Sequence, residues 1–407
     1  MSYLKDIAEY IRGGESDTEN LGLELEHFIV DHNGLQITFD EVSPLIDRVG
    51  KRIGAEILYM DGYPVGYATK DYTVTLEPSC QFEISISPYN NLAKIKEIYE
   101  DFYSLWEPIF AHKGYSIVTK GNLPLVELGI IDPDEIPLSP KKRYIYMDAH
   151  FRKSGKYGKY MMRASASTQI SVDYKSEEDL VRKSRIVQKI TPIIAILLES
   201  KTEERSHLNG KSDKPHLLRV QEWDDLDPAR TGFFPGTFDE DFSYDKIADA
   251  VYNTPLILLT DKGVTTDVGD KSAKDLVRDG YIPDDIADDD RKKKLVEHFM
   301  SMGFFHIRIK KYIEIRIADS VPVDKAIGYA ALIKGLIYSQ ENLENLEKEL
   351  TEIDSGEKIQ NAIHEIEIHG DKAVIYKNKT AGEWASHLKE LADAALPANE
   401  KEYLKYV

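Results

Sequence analysis

Cysteine is almost absent from this chain, whose 407 residues contain only Cys80. A single thiol excludes a disulfide within the chain and a cysteine-based zinc cluster, and it is typical of a reducing compartment. Runs long and apolar enough for a transmembrane span are lacking. The first residues read as an amphipathic helix without the basic and uninterrupted apolar regions of a signal peptide. We therefore expect a cytosolic (cytoplasmic) protein that has no internal dithiol switch.

Basic residues are also fewer than acidic residues in this chain. Lys and Arg number 52 against 71 Asp and Glu, which gives a net charge of -19. A field of that sign repels polyanions, so we expect neither nucleic acid nor a membrane as a partner. A nucleoside triphosphate remains compatible, because clustered arginines and a bound divalent cation can reverse the potential inside one cleft.

Internal repeats, low-complexity tracts and linkers rich in Pro or Ser are lacking too. We therefore expect residues 1–407 to form a single catalytic domain, with a helical C-terminal region from about residue 341. The hydrophobic fraction of 42% and the charged fraction of 30% are ordinary for a globular enzyme. Residues 201–215 and 279–290 are polar and are predicted to be surface loops, either of which could cover a cleft.

Two sequence periods predict the elements of the fold. Helices are predicted where apolar residues recur at helical spacing, over 92–113, 177–199 and 323–350. Strands are predicted where apolar and polar residues alternate, over 21–30, 73–76, 81–87, 164–174 and 306–317. These elements together predict a mixed α+β fold with helices packed on a sheet.

The first predicted strand carries two glutamates on one face. Alternation sends Glu24 and Glu26 to one side and Leu23 and Leu25 to the other. Neighbouring carboxylates raise one another's pKa unless a cation lies between them, so the pair suggests a hard divalent ion. Alone, however, a Glu-x-Glu motif is more typical of a solvent-facing edge strand.

The same alternation recurs in the other predicted strands, each with one apolar face and one polar face. The polar residues on these strands are Glu83, Gln169, Ser171, His306, Arg308, Lys310, Glu314 and Arg316, and Glu77 directly follows the strand predicted over 73–76. A solvated sheet face more often carries Lys, Thr and scattered charges than repeated glutamates with arginines between them. The recurrence favours an ion-binding sheet face, and a solvated face remains the alternative.

Residues 219–232 place Arg219, Trp223 and Arg230 beside a turn. Arginine is suited to bidentate contact with a carboxylate or a phosphate. Taken alone, the stretch is more typical of a surface loop with salt bridges.

Together these segments resemble the plant-type glutamate-cysteine ligase family of carboxylate-amine ligases. The resemblance is collinear over roughly the first three quarters of the chain, and an ordered set of segments is more specific than any single motif. It runs through 22–26, 76–83, 140–144, 161–163, Gln169, Asp173, 219–232, 311–316 and Asp319.

The resemblance implies a glutamine-synthetase-like curved antiparallel active-site sheet backed by helices, with ATP and Mg²⁺ as cofactors. It implies that ATP activates the γ-carboxylate of glutamate as a γ-glutamyl phosphate, which the amine of cysteine attacks to give γ-glutamylcysteine, the first product of glutathione biosynthesis. Two alternatives remain: the same chemistry with another small amino acid or amine, and a phosphotransferase or non-catalytic binding protein on the same fold. The expected partners are small-molecule substrates, and the oligomeric state stays open.

The resemblance also implies roles for individual residues, in three groups. The implied metal ligands are Glu24, Glu26, Glu77, Glu83, Glu314 and Gln169. The implied catalytic residues, which hold the glutamate carboxylate or the transferring phosphate, are Arg219, Arg230 and Arg316. The implied substrate-binding residues are Arg163, Trp223, Arg308 and Lys310.

The chain departs from the family at two places near the implied substrate pocket. Ser79 and Cys80 stand where the family commonly has a pair of glycines, and residues 164–168 read Ala-Ser-Ala-Ser-Thr where the family is commonly richer in threonine. These changes leave metal and ATP handling intact but keep the identity of the amine open. The acyl-phosphate route needs no thiol, so we expect Cys80 to be a small pocket-lining residue.

Overall fold

The computed structural model describes residues 2–202 and 214–407, which contain eleven strands and fifteen α-helices. The strands are β1 (Leu21–Val30), β2 (Glu56–Met60), β3 (Tyr63–Ala68), β4 (Tyr72–Leu76), β5 (Phe82–Tyr89), β6 (Ser116–Val118), β7 (Thr168–Val172), β8 (Leu258–Asp261), β9 (Val264–Asp267), β10 (Ile307–Ile309) and β11 (Ile313–Ile315). The helices are α1 (Ser2–Arg12), α2 (Phe39–Ile53), α3 (Leu92–His112), α4 (Pro124–Glu127), α5 (Lys142–Ser154), α6 (Gly158–Ala164), α7 (Glu177–Leu197), α8 (Leu218–Asp224), α9 (Tyr244–Asn253), α10 (Ala273–Arg278), α11 (Asp289–Ser301), α12 (Val323–Ile337), α13 (Gln340–Glu349), α14 (Gly356–His369) and α15 (Ala381–Ala395). Within these described ranges, no helix has both the length and the apolar character needed to cross a bilayer.

The main sheet is open and antiparallel. Its strand order is β10-β11-β7-β1-β5-β4-β3-β2, and β6 pairs with β1 off this path. Every pairing in the sheet is antiparallel. Strands β8 and β9 form a separate hairpin. The predicted α+β class with an antiparallel sheet backed by helices is confirmed.

One face of the sheet is apolar because its strands alternate. In β1, Leu21, Leu23 and Leu25 are buried, and helices α3, α7 and α12 contact the strands of the sheet. Trp106 of α3 packs edge-on against Phe82 of β5, with ring centroids 4.7 Å apart. Since successive side chains point to opposite faces, the residues between these apolar positions face away from the helices.

Three predicted elements differ in their limits. The helix predicted over 323–350 is two helices, because the side chain of Ser339 accepts a hydrogen bond from the Asn342 N–H and caps α13 (3.2 Å). Of the strand predicted over 164–174 only β7 forms, since its first residue ends α6. The strand predicted over 306–317 is the hairpin of β10 and β11.

The remaining predicted helices are confirmed as α3 and α7. Of the loop predicted over 201–215, residues 203–213 lie outside the described part of the chain. The second predicted loop, over 279–290, leads into α11, whose first residue is Asp289.

Cys80 belongs to the core rather than to a pocket wall, which corrects the sequence prediction. It lies in the turn between β4 and β5 with φ 66°, and its side chain is 1% exposed. Burial raises the pKa of its thiol to about 12. Since only the thiolate reacts readily, Cys80 should be inert in the folded protein.

We expect the native protein to react with a thiol reagent such as Ellman's reagent roughly a thousandfold more slowly than a free cysteine at pH 8, because so little thiolate is present. The measurement is the absorbance time course with and without guanidinium chloride. The unfolded chain should release one equivalent of product promptly. Prompt reaction of the native protein would show that the thiol is accessible.

Candidate active site

Strand register brings polar residues from three strands to the face away from the helices. Glu24 of β1 lies opposite Ser85 of β5 and Gln169 of β7, and Glu26 lies opposite Glu83. Residues directly opposite each other in a sheet share a face, with side chains in mutual reach. The two glutamates that the sequence placed together are thus joined by a third from β5.

The same face continues onto the last hairpin. Ser171 of β7 lies opposite Glu314 of β11, and Glu314 lies opposite Arg308 of β10. Strands that are distant in sequence therefore contribute side chains to one continuous polar surface.

A cavity of about 290 Å³ lies over this surface. It is lined by ten of the thirteen residues predicted for the site: Glu24, Glu26, Glu77, Glu83, Gln169, Trp223, Arg308, Lys310, Glu314 and Arg316. Its remaining wall is partly apolar and includes Met147, Met161 and Phe304. Apolar side chains therefore share the cavity with the charged groups.

One end of the cavity is acidic. Burial and repulsion from Glu77 raise the pKa of Glu26 to about 7. Burial and the neighbouring glutamates, Glu24 foremost, raise the pKa of Glu83 well above its usual range. Burial and Glu314 raise the pKa of Glu24. Carboxylates in this state favour a positively charged ligand between them.

Glu26 is held by β7 and the residues before it. Its carboxylate accepts hydrogen bonds from the Ser167 N–H (2.7 Å), the Ser167 hydroxyl (3.0 Å) and the Gln169 side-chain amide (3.1 Å). Glu24, by contrast, accepts no hydrogen bond from any residue in the described part of the chain. Its carboxylate is therefore free to bind a ligand in the cavity.

Two more carboxylates are oriented by hydroxyl groups. Glu83 accepts hydrogen bonds from Thr75 (2.9 Å) and Ser85 (3.0 Å), both through the same oxygen. Glu77 accepts one from the Tyr144 hydroxyl at 3.3 Å. Each side chain keeps a second oxygen that can meet a ligand.

The other end of the cavity is basic and centres on Glu314, which is fully buried. Arg308 donates to it through Nε (2.7 Å) and Nη2 (3.0 Å), Lys310 through Nζ (3.1 Å) and Arg316 through Nη1 (3.0 Å). Burial raises the pKa of Glu314, but these three cations outweigh it and lower that pKa well below the usual range. Three cations around one carboxylate leave an excess of positive charge, which favours an anionic ligand.

The donor set at the acidic end fits a hard divalent cation, because all its ligand atoms are oxygens. Among the residues described, no three acidic, histidine or cysteine side chains converge closely enough to hold a metal ion by themselves. Mg²⁺ typically binds through one or two carboxylates and completes its shell with water and phosphate oxygens. The side chains therefore fit an ion that arrives with a phosphate, rather than a preformed metal cage.

Arg219, predicted to be catalytic, lies beside the cavity and holds the backbone after β11. Its guanidinium donates to the carbonyl oxygens of Arg316 (3.3 Å), Ile317 (3.2 Å) and Ala318 (3.4 Å). It is 4% exposed and lines a small adjoining pocket rather than the main cavity. In this position it holds the backbone of residues 316–318 beside the cavity.

Arg163, predicted to bind substrate, does not line the cavity. It is buried, and its guanidinium pairs with Asp148 and donates to the Ile136 carbonyl oxygen (3.2 Å). Arg163 therefore links α6, α5 and the preceding loop, and its predicted substrate-binding role stays a prediction.

Arg230, predicted to be catalytic, also lies outside the cavity. Its side chain is 1% exposed and pairs with Asp227 and with Asp270 (3.0 Å). It also donates to the Pro255 carbonyl oxygen at 2.8 Å. These contacts tie three loops together, and the predicted catalytic role of Arg230 stays a prediction.

Sequence reasoning missed several residues of the cavity wall. Arg143 and Tyr144 lie in the first turn of α5, within a segment that carries the family resemblance, so that resemblance could have identified them. Met161 and Ser165 likewise lie at the segment around Arg163. Phe304 had no comparable signal, because it precedes β10 and lies outside the alternating pattern.

Comparison with known proteins agrees with these observations. The model of the family described as Glutamate-cysteine ligase family 2 matches residues 20–403. The chain is 26% identical over 347 residues to glutamate–cysteine ligase B of Oryza sativa subsp. japonica, which covers 84% of this chain and 67% of the relative. It is 25% identical over 345 residues to the glutamate–cysteine ligase of Arabidopsis thaliana, which covers 84% and 64%.

A solved structure has a similar fold. The crystal structure of glutamate–cysteine ligase from Francisella tularensis in complex with AMP superimposes with a TM-score of 0.54. The superposition covers 96% of this chain and 81% of that one, at 14% sequence identity. At that identity the likeness concerns the fold alone.

One expectation is overturned by the relatives. The rice and Arabidopsis proteins carry names that describe them as chloroplastic. The cytosolic location predicted from the single cysteine and the first residues is therefore wrong. Cysteine content and the amphipathic start were insufficient to settle the compartment.

Proposed function

Because the chain belongs to glutamate-cysteine ligase family 2, we propose that it joins the γ-carboxylate of glutamate to the amine of cysteine in an ATP-dependent reaction. The observation that supports this most directly is the cavity itself, with clustered glutamates at one end and clustered cations at the other. Such a cavity suits a reaction in which anionic phosphate and carboxylate groups must approach one another. We further propose that residues 1–407 act as one catalytic domain.

The reaction needs activation because a carboxylate oxygen is a poor leaving group. Transfer of the γ-phosphoryl group of ATP to the glutamate carboxylate gives γ-glutamyl phosphate and ADP. The neutral amine of cysteine then attacks the acyl carbon, the carbon–oxygen bond to phosphate breaks, and γ-glutamylcysteine and phosphate are released. The amine proton leaves to a nearby base.

The glutamates at the acidic end would hold the divalent cation that ATP requires. Glu26, Glu77 and Glu83 are already oriented by hydrogen bonds, and Glu24 is free to join them. Mg²⁺ bound there supplies charge neutralisation between the phosphates and the acceptor carboxylate. The side chains themselves fix where the phosphate chain enters the cavity.

The cations at the other end would meet the negative charge that develops during phosphoryl transfer. Arg308, Lys310 and Arg316 are held in place by Glu314 before any substrate binds. Preorganised donors of this kind stabilise a transition state without having to reorient during the reaction. Glu314 would therefore act as the anchor of these cations, rather than as the metal ligand that the resemblance implied.

The apolar wall would protect the acyl phosphate from hydrolysis. Met147, Met161, Trp223 and Phe304 lie on the same cavity as the charged groups. Excluding water there strengthens the electrostatic interactions and prevents loss of the intermediate. Ser165 lines the cavity at the segment where the chain departs from the family pattern, so we propose that it contacts the amine substrate.

The test is release of ADP by the purified protein with Mg²⁺, ATP and glutamate, while each common amino acid is added in turn and products are identified by mass. We expect γ-glutamylcysteine as the main product. A different γ-glutamyl product would keep the mechanism and change the amine. Absence of glutamate-dependent turnover would contradict the proposal and favour a phosphotransferase or a binding protein.

A further inference from the structure

We propose that Asp224 and His306 are positioning residues: their contact holds Trp223 on the wall of the main cavity, where it keeps water from the acyl phosphate. The inference rests on the proposed function, since it concerns an intermediate of that reaction. Neither Asp224 nor His306 lines the main cavity, and the family resemblance implies no role for either.

The first observation concerns Trp223 itself. Its side chain is half-buried on the cavity wall, and its indole Nε1 is buried without a hydrogen-bond partner in the part of the chain that the structure describes. The ring centroid lies 5.7 Å from Cζ of Arg219 and 6.1 Å from the ring centroid of Phe304. Because no hydrogen bond fixes the indole, its position depends on packing and on the helix that carries it.

The second observation is that this helix needs support. Helix α8 has only seven residues, and a helix of that length is marginal without tertiary contacts. Asp224, its last residue, follows Trp223 directly and places a carboxylate at the negative end of the helix dipole, which is unfavourable. The contacts of Asp224 therefore decide how firmly the last turn of α8, and Trp223 with it, is held.

The third observation is that two distant residues meet the carboxylate of Asp224. Nε2 of His306 lies 3.2 Å from its Oδ1, and the side-chain amide of Gln360 in α14 donates a hydrogen bond to its Oδ2 (2.7 Å). Burial raises the pKa of Asp224, but His306 and Gln360 outweigh it and lower that pKa below its usual value. The carboxylate is therefore ionised at neutral pH.

His306 is a fixed anchor for this contact. It is buried, its N–H donates to the Gly232 carbonyl oxygen (2.7 Å), and its carbonyl oxygen accepts from the Arg316 N–H (2.9 Å). Its ring packs edge-on against Phe233, with ring centroids 5.1 Å apart. Because His306 directly precedes β10, the contact ties the end of α8 to the hairpin that carries the cations of the cavity.

The consequence of losing this contact is chemical. In the productive reaction the amine attacks the acyl carbon of γ-glutamyl phosphate and displaces phosphate. Water that reaches the same carbon breaks the same carbon–oxygen bond and returns glutamate and phosphate, so that ATP becomes ADP without a peptide bond. A displaced Trp223 would admit that water. The ratio of ADP released to γ-glutamylcysteine formed therefore measures how well the wall is held.

The test variants are Asp224→Ala, which removes the carboxylate, and His306→Phe, which keeps the ring and removes its nitrogens. At saturating cysteine we expect the ADP-to-dipeptide ratio to rise from about 1 to at least about 2 in each. The double variant should not exceed the larger single effect, because all three changes remove the same contact.

Tryptophan fluorescence gives a readout that does not depend on turnover. Trp106 and Trp384, the other two tryptophans, are fully buried, so quenching by acrylamide reports mainly on Trp223. We expect quenching of the substrate-free protein to increase in both single variants. Unchanged quenching in both would show that the contact does not hold Trp223, and would overturn the inference.

The matched control is His387→Phe. It removes another histidine–carboxylate pair, between His387 and Glu349 (2.7 Å), neither of which lines the cavity. Its ADP-to-dipeptide ratio and its quenching should match those of the wild type. A role in stability alone would lower the melting temperature of Asp224→Ala and His306→Phe while the ratio stayed near that of the wild type.

The wild-type protein, assayed in parallel, separates two kinds of failure. If it forms γ-glutamylcysteine and both folded single variants keep its ratio, the positioning role is overturned and the proposed function stands. If the wild type forms no γ-glutamyl product, the proposed function is overturned, and the exclusion of water by Trp223 with it.

Discussion

Replacing Glu24 by glutamine should lower kcat/KM by at least about 100-fold, a typical effect for the loss of one preorganised charged group, and should stabilise the substrate-free protein at the same time. Glu24 faces the cavity and accepts no hydrogen bond within the described residues. We therefore propose that Glu24 acts only when a cation and the substrates are bound. Glutamine has nearly the same shape but cannot supply the negative charge.

The gain in stability follows from the surroundings of Glu24. Burial and repulsion from Glu314 raise the pKa of Glu24, and they outweigh the attraction of Lys310 and the arginines. The ionised form is therefore disfavoured in the folded protein, and a neutral side chain removes that penalty. We expect a gain on the order of 1 kcal/mol, which for a chain of this length raises the melting temperature by roughly 1 °C.

The measurement combines steady-state kinetics with thermal unfolding of the metal-free protein. Glu107→Gln is the matched control, because Glu107 is an exposed residue of α3, and it should change neither quantity. Loss of activity accompanied by a lower melting temperature would indicate that Glu24 supports the fold instead. Full activity of Glu24→Gln would remove Glu24 from the site.

Arg230→Met should be the most destabilising of these changes, with little effect on the chemistry of the molecules that remain folded. Removing one partner of a buried ion pair costs about 3–5 kcal/mol, because the other charge stays buried. Here that charge is Asp227, whose carboxylate would keep His150 as its side-chain partner (2.7 Å). The melting temperature should fall by roughly 4–6 °C.

The destabilisation should depend on pH. Burial raises the pKa of Asp227, but His150 and Arg230 outweigh it and lower that pKa below its usual value. A lowered folded-state pKa gives stability that is present above the unfolded pKa and is lost as the pH falls through the folded value. The difference in melting temperature between wild type and Arg230→Met should therefore narrow below about pH 4.

Kinetics at low temperature separate the structural role of Arg230 from a catalytic one. Because Arg230 lies outside the cavity, kcat/KM of the folded variant should stay within about threefold of the wild type, a small effect beside those of groups that contact substrate. Arg152→Met is the control: this arginine pairs with Asp134 and Asp148 and is 38% exposed, so its loss should cost less than about 1 kcal/mol. A 100-fold loss of activity with an unchanged melting temperature would instead support the catalytic role of Arg230.

The residues that the sequence placed correctly are those whose position depends on alternation alone. Glu24, Glu26 and Glu83 share a face because strands have a period of two, and this period is visible in the sequence. Arg308 and Glu314 follow for the same reason. The joining of these strands into one sheet was implied by the resemblance, since alternation does not tell which strands pair.

The predicted site residues that lie outside the cavity are oriented by contacts between distant segments. The Arg230 side chain points towards Asp227 and away from the cavity. Its guanidinium also contacts Asp270 and the Pro255 carbonyl oxygen, which belong to other loops. The break before α13 depends on Ser339, whose side chain caps that helix. A serine can either cap a new helix or lie within a continuous one, so its presence in the sequence predicts the break only weakly. Alternation of apolar and polar residues predicts on which face of a strand a residue lies. It does not predict in which direction a side chain in a loop points.

The strand order β10-β11-β7-β1-β5 also sets the time at which the two ends of the cavity can first meet during synthesis. The acidic strands are complete once residue 89 has been added, whereas β11 ends at residue 315. At 5–20 residues per second, the intervening chain takes roughly 11–45 s to synthesise. For that interval the nascent chain carries its glutamates without the strand that brings the neutralising cations. A ribosome that stops before β11 would therefore release a chain with one half of the reaction site and no activity.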